Sequence, residues 1–537
     1  MKLKRLLSHR TQRGLLLATL LFITNSVMAD TAKPACNTDP IKTQTGTVCG
    51  NLVDSSTKKQ AKAFLGIPFA ESTAGKNRWQ FPVPKAAWTD TFQATQFGAG
   101  CPQEGMPNTS EDCLSLNIWT PANVDTSKPL PVMVFIYGGA FSSGLSGHPL
   151  YDGSYLAANK NVIVVSFNYR VGVLGFLAND DLDGNYGFMD QELALMWVRK
   201  HIPNFGGDPK KVTLFGESAG AMSVGLHLLS SPLSQPLFRA AIVESNFFGL
   251  PYKTLQEQKN VGNLFEATLN CHDTECLRGL DVAKILEAQG KFTDQMSQVF
   301  SSPQFYLPFA PSVDGKLITR QPVDALADKK LSKPLLIGTN KDEAVLLVAG
   351  RNITPSKYAT WTAGLYGKQF EKVIKQYPIS ETDDNSKVWS NLQTDNFLKC
   401  SSRYVASQYP APVYTYSFNH SPSFNFVGLP NCAKDNNVCH IVELPFIFHT
   451  MDKLGGSFTP EEEKLSENFM DYWTNFAINL DPNDSGNKQL TAWPKFSAQK
   501  KQFLSLNTPS VTVDQDPDQK ICDFWDGIGY ELTNPWK

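Results

Sequence analysis

The most informative stretch of the chain lies at residues 212–229 and reads Val-Thr-Leu-Phe-Gly-Glu-Ser-Ala-Gly-Ala-Met-Ser-Val-Gly-Leu-His-Leu-Leu. Its first four residues predict a buried strand, and the run from 221 onward has the spacing of a buried helix. Between them, Gly216 and Gly220 flank Ser218 in the pattern G-x-S-x-G, which is typical of a serine held on a strained turn. We therefore predict that Ser218 is a nucleophile. A glycine turn with an ordinary helix-capping serine is the alternative.

Other buried strands are predicted on both sides of this stretch. They are short apolar runs rich in β-branched residues, at 131–137, 162–165, 240–243 and 334–337. None of them alternates with polar residues, so both faces of the sheet are expected to be covered. Helical spacing between the runs predicts an α/β fold with a large, mostly parallel central sheet flanked by helices. The segment from about 250 to 330 has weaker strand signals and is expected to pack over the sheet, with helical insertions over the active site.

A second glycine-rich segment, Tyr137-Gly-Gly-Ala-Phe141, directly follows the predicted strand at 131–137. Small residues let backbone N–H groups approach a negatively charged oxygen closely. We therefore predict an oxyanion hole made by the N–H of Ala219, which follows Ser218, and by N–H groups of this segment. A plain strand-ending turn is the alternative.

A serine nucleophile needs a general base, usually a histidine that is oriented by an acid. In the fold that carries this serine turn, the acid follows the serine and the histidine follows the acid. His227 lies on the helix just after Ser218 and is expected to point away, and His272 comes too early to leave room for the acid. Three later histidines remain, and position alone does not choose among them: His420, His440 and His449.

The composition excludes several classes of protein. Lysine and arginine number 49, and aspartate and glutamate number 51, so the formal net charge is −2. A near-neutral chain has no basic surplus with which to bind nucleic acid. Charged residues make up 19% and apolar residues 42% of the chain, which is typical of a globular protein and not of a disordered one.

Residues 1–29 are predicted to be a signal peptide. Basic residues between positions 2 and 13 precede an apolar run at 14–23, and Val27-Met-Ala29 provides a cleavage site after Ala29. A membrane anchor is the alternative, but the apolar run is shorter than the roughly 20 residues that a membrane helix needs. The mature chain, residues 30–537, is therefore expected to be secreted or periplasmic, with no integral membrane segment.

The chain has ten cysteines, and all of them follow residue 29. In an oxidising compartment, an even number of cysteines favours disulfides. A zinc site is the alternative, but the sequence has no CxxC pair. Three pairs of neighbours would each close a short loop: Cys101 and Cys113, Cys271 and Cys276, and Cys432 and Cys439.

Over nearly all of its mature length the chain resembles the type-B carboxylesterase and lipase family, to which the cholinesterases are related. The resemblance rests on a series of blocks that lead up to the Gly-Glu-Ser-Ala-Gly motif at 216–220. The blocks are Phe64-Leu-Gly-Ile-Pro-Phe-Ala-Glu71, Arg78-Trp79, Ser110-Glu-Asp-Cys-Leu-Ser-Leu-Asn117, Asn168-Tyr-Arg-Val-Gly-Val-Leu-Gly-Phe176, Gly184-Asn-Tyr-Gly-Phe-Met-Asp-Gln191 and Asn204-Phe-Gly-Gly-Asp-Pro209. The resemblance implies an α/β-hydrolase fold in which residues 30–537 form a single catalytic domain.

The resemblance also implies a catalytic triad. The Gly-Glu-Ser-Ala-Gly motif makes Ser218 the nucleophile. Lys341-Asp-Glu343 matches the segment that holds the triad acid, which implies Glu343 and not Asp342. The block His440-Ile-Val-Glu-Leu-Pro-Phe446 matches the one that opens with the catalytic histidine, so His440 is implied as the base.

Two further features follow from the resemblance. Gly139 and Ala140 are implied to supply oxyanion N–H groups, although many members have glycine at the position of Ala140. The resemblance suggests the disulfides Cys101–Cys113, Cys271–Cys276 and Cys400–Cys522, and proximity alone adds Cys36–Cys49 and Cys432–Cys439.

The activity that the resemblance implies is hydrolysis of carboxylic esters through an acyl-enzyme, without a metal or a cofactor. The loop between Cys101 and Cys113 contains no aromatic residue, so a cation–π platform for choline esters is not expected there. The expected substrate is a small, uncharged, apolar ester. A lipase acting on aggregated lipid is the alternative enzyme, and an exported non-catalytic binding or adhesion protein is the alternative outside enzymes. His449 stands where many members have glycine.

Overall fold

The structure is a computed structural model of the chain. It describes residues 35–299, 307–380, 383–425, 428, 432, 436–483, 490–516 and 518–530. The predicted signal peptide, residues 1–29, lies outside the described residues.

A sheet of eleven strands forms the centre of the fold. In chain order the strands are β1 (Asn51–Asp54), β2 (Gln60–Pro68), β3 (Ser115–Pro121), β4 (Leu130–Ile136), β5 (Ile163–Phe167), β6 (Gly207–Glu217), β7 (Ala240–Glu244), β8 (Leu335–Asn340), β9 (Val413–Phe418), β10 (Gln502–Leu506) and β11 (Thr512–Gln515). Across the sheet they are ordered β11-β10-β9-β8-β7-β6-β4-β5-β3-β2-β1. The seven neighbouring strands from β10 to β5 in this order run parallel to one another. At one edge, β11 is antiparallel to β10, and at the other edge β3, β2 and β1 each pair antiparallel with the preceding strand in the order. The predicted α/β fold with a large, mostly parallel sheet is confirmed.

The middle of this sheet is covered on both faces. Every residue of β5, β7 and β8 is buried. Successive side chains of a strand point to opposite faces, so a strand that is buried at every position has protein on both sides. This explains why these segments read as continuous apolar runs in the sequence.

Helices fill most of the connections between the strands. The α-helices are Ser154–Lys160, Gly172–Phe176, Tyr186–His201, Ala219–Leu229, Leu255–Thr268, Thr274–Gly279, Val282–Val299, Val345–Val348, Pro355–Tyr366, Phe370–Gln376, Ser386–Gln393, Ser401–Gln408, Leu444–Phe448, Pro460–Asn479 and Gln519–Ile528, and Thr394–Cys400 is a π-helix. The 3₁₀ turns are Gly75–Asn77, Pro149–Tyr151, Ile202–Phe205, Gln235–Leu237, Asp324–Ala327, Gly367–Gln369 and Asp452–Leu454. Two small sheets lie apart from the central one. One has three strands, Ile41–Lys42, Thr47–Cys49 and Phe92–Gln93, and the other has two, Lys253–Thr254 and Ser312–Val313.

The described part of the segment from 250 to 330 contains three α-helices, as the sequence indicated, and it contacts a connection between strands. Gln258 donates a hydrogen bond to the carbonyl of Phe176 at 3.3 Å. The side-chain oxygen of Gln289 accepts one from the N–H of Val173 at 2.6 Å. Phe176 and Val173 belong to the short helix Gly172–Phe176, which follows β5 closely, so the insertion contacts the connection after β5.

All ten cysteines form disulfides, so none is free to bind zinc. The pairs are Cys36–Cys49, Cys101–Cys113, Cys271–Cys276, Cys400–Cys522 and Cys432–Cys439, the same pairs that the sequence and the resemblance suggested. Among the described residues, no helix combines the length and the apolar character that crossing a membrane requires.

The disulfide Cys400–Cys522 is expected to stabilise the fold most, because it closes a loop of 122 residues. It joins the π-helix Thr394–Cys400 to the last helix, beside a hydrophobic cluster that contains Trp389 and Trp525. Replacing both cysteines with serine should lower the free energy of unfolding by about 4–5 kcal/mol. Thermal unfolding of the oxidised proteins checks this. Removing Cys271 and Cys276 is the matched control, since that pair spans only 5 residues and should cost less.

Candidate active site

Ser218 lies on a strained turn between β6 and the helix Ala219–Leu229. Its φ is 58° and its ψ is −125°, a conformation that few residues with a side chain adopt. Its N–H donates to the carbonyl of Glu244 at 3.0 Å, which fixes the turn against β7. The turn also requires glycine at position 220, because a Cβ atom there would lie 1.9 Å from the carbonyl oxygen of Ile136. The sequence pattern G-x-S-x-G therefore has the structural context that was predicted for it.

His440 and Glu343 form a buried pair. The Nδ1 of His440 lies 2.6 Å from Oε2 of Glu343, and the other carboxylate oxygen accepts the N–H of Asn340 at 2.7 Å. Glu343 is fully buried, and His440 is 4% exposed. Glu343 follows β8 closely, and the strand end therefore fixes the acid that orients the imidazole ring.

The second ring nitrogen of His440 faces the strand that leads into Ser218. Nε2 lies 3.1 Å from Oε1 of Glu217, the residue before the serine. Among the described residues, neither of these two atoms has a hydrogen-bond partner with acceptable geometry. The imidazole thus has one nitrogen held by Glu343, while the other makes no hydrogen bond among the described residues and lies beside the strained turn.

The glycine-rich segment after β4 packs directly against this turn. A Cβ atom added to Gly138 would lie 2.8 Å from the Cβ of Ser218. Gly139 has a φ of 115° and Ala140 a φ of 55°, so the backbone turns sharply here. No described residue accepts a hydrogen bond from the N–H of Gly139, Ala140 or Ala219. These three donors are the ones expected for an oxyanion hole.

The other candidate histidines have different partners. His420 Nε2 lies 3.0 Å from an oxygen of Glu462, and its Nδ1 bonds a threonine hydroxyl. His449 Nε2 lies 2.6 Å from Oε1 of Glu463. His227, on the helix after the serine, contacts a buried serine and a buried glutamine. Of the three histidines that position left open, His440 is the one that contacts Glu343.

Several buried carboxyl groups lie around this pair and were not predicted from the sequence. Glu217, Glu443 and Glu244 are each at most 1% exposed, although His440 is the one basic side chain that pairs with them in the part of the chain that the structure describes. Glu443 accepts a hydrogen bond from the side-chain amide of Asn340. The signal was present in the sequence, because Glu217 stands inside the Gly-Glu-Ser-Ala-Gly motif and Glu443 inside the block that begins at His440. Neither motif showed that these side chains would meet.

Burial and mutual repulsion change the protonation of this group. Burial raises the pKa of Glu217 well above its usual value, and Glu443 and Glu343 raise it further against the effect of His440. Burial and the charge of Glu343 raise the pKa of Glu443 to about 7. Burial lowers the pKa of His440, but the carboxylates of Glu217 and Glu343 outweigh burial and raise it to about 9. The imidazole is therefore a stronger base here than in water.

Comparison with known proteins agrees with this fold. The sheet order and the serine turn define an α/β-hydrolase scaffold. The model of the carboxylesterase family matches residues 37–525, and the chain belongs to that family. The resemblance to this family that was noted in the sequence is confirmed.

Three relatives show how far the similarity extends. Acetylcholinesterase of Bungarus fasciatus is 33% identical, over 92% of this chain and 87% of the relative. Cholinesterase of Mus musculus is 36% identical, over 86% of this chain and 82% of the relative. The cAMP-regulated D2 protein of Dictyostelium discoideum is 32% identical, over 94% of this chain and 96% of the relative. The similarity thus spans whole chains and is not confined to the serine motif.

Proposed function

We propose that this chain hydrolyses carboxylic esters through an acyl-enzyme, with Ser218 as nucleophile, His440 as general base and Glu343 as the orienting acid. The observation that carries the proposal is the 2.6 Å contact between His440 Nδ1 and Glu343. It leaves Nε2, which makes no hydrogen bond among the described residues, facing the residue before Ser218. That arrangement suits a base that takes a proton from the serine hydroxyl.

In the first half-reaction, Ser218 Oγ attacks the ester carbonyl and its proton moves to His440 Nε2. The tetrahedral intermediate collapses, and the alcohol leaves with that proton. In the second half-reaction, water attacks the acyl-serine and gives a proton to His440, which returns it to Ser218 as the acid is released. Glu343 holds the ring tautomer with the proton on Nδ1 and stabilises the imidazolium that forms in each half.

The N–H groups of Gly139, Ala140 and Ala219 would stabilise the negative oxygen of both intermediates. Each such donor is worth roughly 3 kcal/mol of barrier in serine hydrolases. Support for this assignment comes from the close packing of Gly138 on Ser218 and from the lack of other acceptors for these three donors among the described residues. The chemistry of these residues needs neither a metal nor a cofactor.

The proposed substrate is a small, uncharged, apolar ester. Phe247 lies edge-on to the ring of His440 at 5.6 Å, so an apolar ring borders the base. Steady-state hydrolysis of p-nitrophenyl esters of increasing acyl length tests the proposal. We expect turnover with short, monomeric esters. Turnover only above the concentration at which a long-chain ester aggregates would indicate a lipase, and no turnover of any ester would contradict the function.

The pH dependence of turnover should report the carboxylates near His440. Only the neutral imidazole accepts a proton, so activity is lost as the pH falls through the pKa of His440. Since Glu217 helps to raise that pKa to about 9, Glu217→Gln should move the midpoint of the pH–rate profile toward the ordinary value of 6.5. Glu244→Gln is the matched control, because Glu244 is as buried as Glu217. The side-chain oxygen of the new glutamine can still accept the hydrogen bond from Trp473. A midpoint that does not move in Glu217→Gln would contradict this electrostatic account.

We also propose that the protein is exported, with residues 1–29 as a signal peptide and residues 30–537 as one catalytic domain. The five disulfides support this, because such bonds persist in oxidising compartments. N-terminal sequencing of the exported protein tests it, with Asp30 expected as the first residue.

A further inference from the structure

A second group of ionisable side chains lies outside the active site, where a turn meets the helix Pro460–Asn479. His449, Glu463 and Glu467 each present one metal-ligating atom, and these atoms all lie within 4.8 Å of one another. Among the described residues, no other group of three or more histidine, cysteine or acidic side chains brings its ligand atoms this close together. The function proposed above does not use it.

The three side chains converge because of where the backbone places them. Glu463 and Glu467 are four residues apart on one helix and so lie on the same face. His449 ends the helix Leu444–Phe448, and its ring stacks on Tyr155 with ring centres 3.8 Å apart. The His449 side chain is only 9% exposed, so its ring is held in place before any ligand arrives.

The surroundings of the group carry an excess of negative charge. Lys160 is the neighbouring cation, and it contacts Glu467 at 2.5 Å and Asp471 at 2.7 Å. With Glu463 the group contains three carboxylates and one ammonium, which leaves a formal charge of −2 when the imidazole of His449 is neutral. A bound divalent cation would neutralise that charge.

We propose that His449, Glu463 and Glu467 bind a divalent transition-metal ion of the Zn²⁺ type. An imidazole and two carboxylates are a ligand set that Zn²⁺ accepts, with a water molecule in the remaining position. Glu463 is 49% exposed and Glu467 39% exposed, so the fourth position opens to solvent.

The distances are compatible with small adjustments. Ligand atoms around a tetrahedral Zn²⁺ lie roughly 3.3 Å apart, given bonds of about 2.0–2.1 Å. Nε2 of His449 and Oε1 of Glu463 lie 2.6 Å apart, the separation of a hydrogen bond, so this pair must open slightly. The half-exposed Glu463 side chain can make that movement, whereas the stacked ring of His449 stays in place.

Tyr155 is expected to act as a positioning residue for this site. Its hydroxyl donates to Oε1 of Glu467 at 2.7 Å, and its ring supports His449. Hydrogen bonds to a metal-binding carboxylate orient it, and their loss usually weakens metal binding about 10-fold or more. Tyr155→Phe keeps the stacked ring and removes only this hydrogen bond.

Titration of the full exported chain with Zn²⁺ alone, after dialysis against a chelator, tests the proposal. Isothermal titration calorimetry should give one strong site per chain, and saturation should raise the unfolding temperature. Tyr155→Phe should reduce the affinity by about 10-fold, and His449→Ala and Glu463→Gln, which each remove a ligand, should reduce it further. His272→Ala and Glu461→Gln, which change exposed residues outside the group, should bind as the unchanged protein does.

Two results would overturn the proposal. One is the absence of Zn²⁺ binding to the unchanged protein. The other is an equal Zn²⁺ affinity of the Glu463→Gln and Glu461→Gln variants, because Zn²⁺ would then be held elsewhere on the surface. Glu463 is half-exposed, so its variant is expected to fold even if His449→Ala does not, and circular dichroism checks the fold of each. Ester hydrolysis plays no part in these readouts, so they stand apart from the function proposed above.

Discussion

Ser218→Ala is expected to lower kcat/KM for ester hydrolysis by about 10⁵–10⁶-fold, the largest effect of any single substitution in this chain. Removing the serine of a catalytic triad leaves only the catalysis that the oxyanion hole and substrate binding provide. The fold should survive, because the strained turn is held by the N–H of Ser218 and not by its hydroxyl group. Initial rates with a short p-nitrophenyl ester measure the effect, and circular dichroism checks the fold.

A matched control for this substitution is available at the other end of the helix that follows Ser218. Ser230 is buried and its hydroxyl has no hydrogen-bond partner among the described residues, so Ser230→Ala removes a similar atom at little cost. It should retain most of the activity. If Ser218→Ala were as active as Ser230→Ala, the nucleophile would be another group.

Glu343→Gln is expected to lower kcat by about 10³–10⁴-fold with little change in KM. The substitution keeps the size of the side chain but places an amide where the carboxylate accepts from His440 Nδ1 at 2.6 Å. An N–H group of the amide would favour the ring tautomer with the proton on Nε2, and that tautomer cannot take a proton from Ser218. Steady-state kinetics with the same ester separate kcat from KM.

Asp342→Asn is the control for this second substitution, because the two acids are neighbours in the chain. Asp342 accepts a hydrogen bond from the backbone N–H of Val438 at 3.0 Å, and the oxygen of an asparagine can do the same. Activity close to that of the unchanged protein is expected. A larger loss in Asp342→Asn than in Glu343→Gln would mean that the triad acid is misassigned.

The sequence predicted those parts of the site that depend on local pattern. The turn at Ser218 was predictable because a strand, two glycines and a helix follow one another within 18 residues of chain. The strands β5, β7 and β8 were predictable because burial on both faces removes the polar alternation. The glycine-rich segment at Gly139 was predictable because it directly follows a strand.

Long-range geometry was not predictable from local pattern. Nothing near His440 distinguishes it from His420 or His449 in the sequence, and the resemblance to a family was needed to prefer it. The structure shows why, since the pair of His440 and Glu343 is separated by 97 residues and forms only when β8 and the later helices have packed. The contacts of the insertion between 250 and 330 were not predictable for the same reason, because helical spacing does not reveal which connection a helix contacts.

The buried carboxyl groups were missed for a related reason. A glutamate such as Glu217 or Glu443 usually indicates an exposed position, because burying a charge is costly. In this chain both are buried beside His440, where burial and neighbouring acids raise their pKa values. That cost has a chemical consequence, since the same groups determine the basicity of the imidazole.

The rate of covalent labelling by a fluorophosphonate, followed by peptide mapping, decides whether Ser218 is an activated nucleophile. This reagent reacts with an activated serine and needs no knowledge of the natural substrate. We expect one adduct, on Ser218, and a fall in the labelling rate of at least about 10³-fold in His440→Ala. An adduct on another residue, or labelling of Ser218 that is equally fast without His440, would contradict the claim that these two side chains act together.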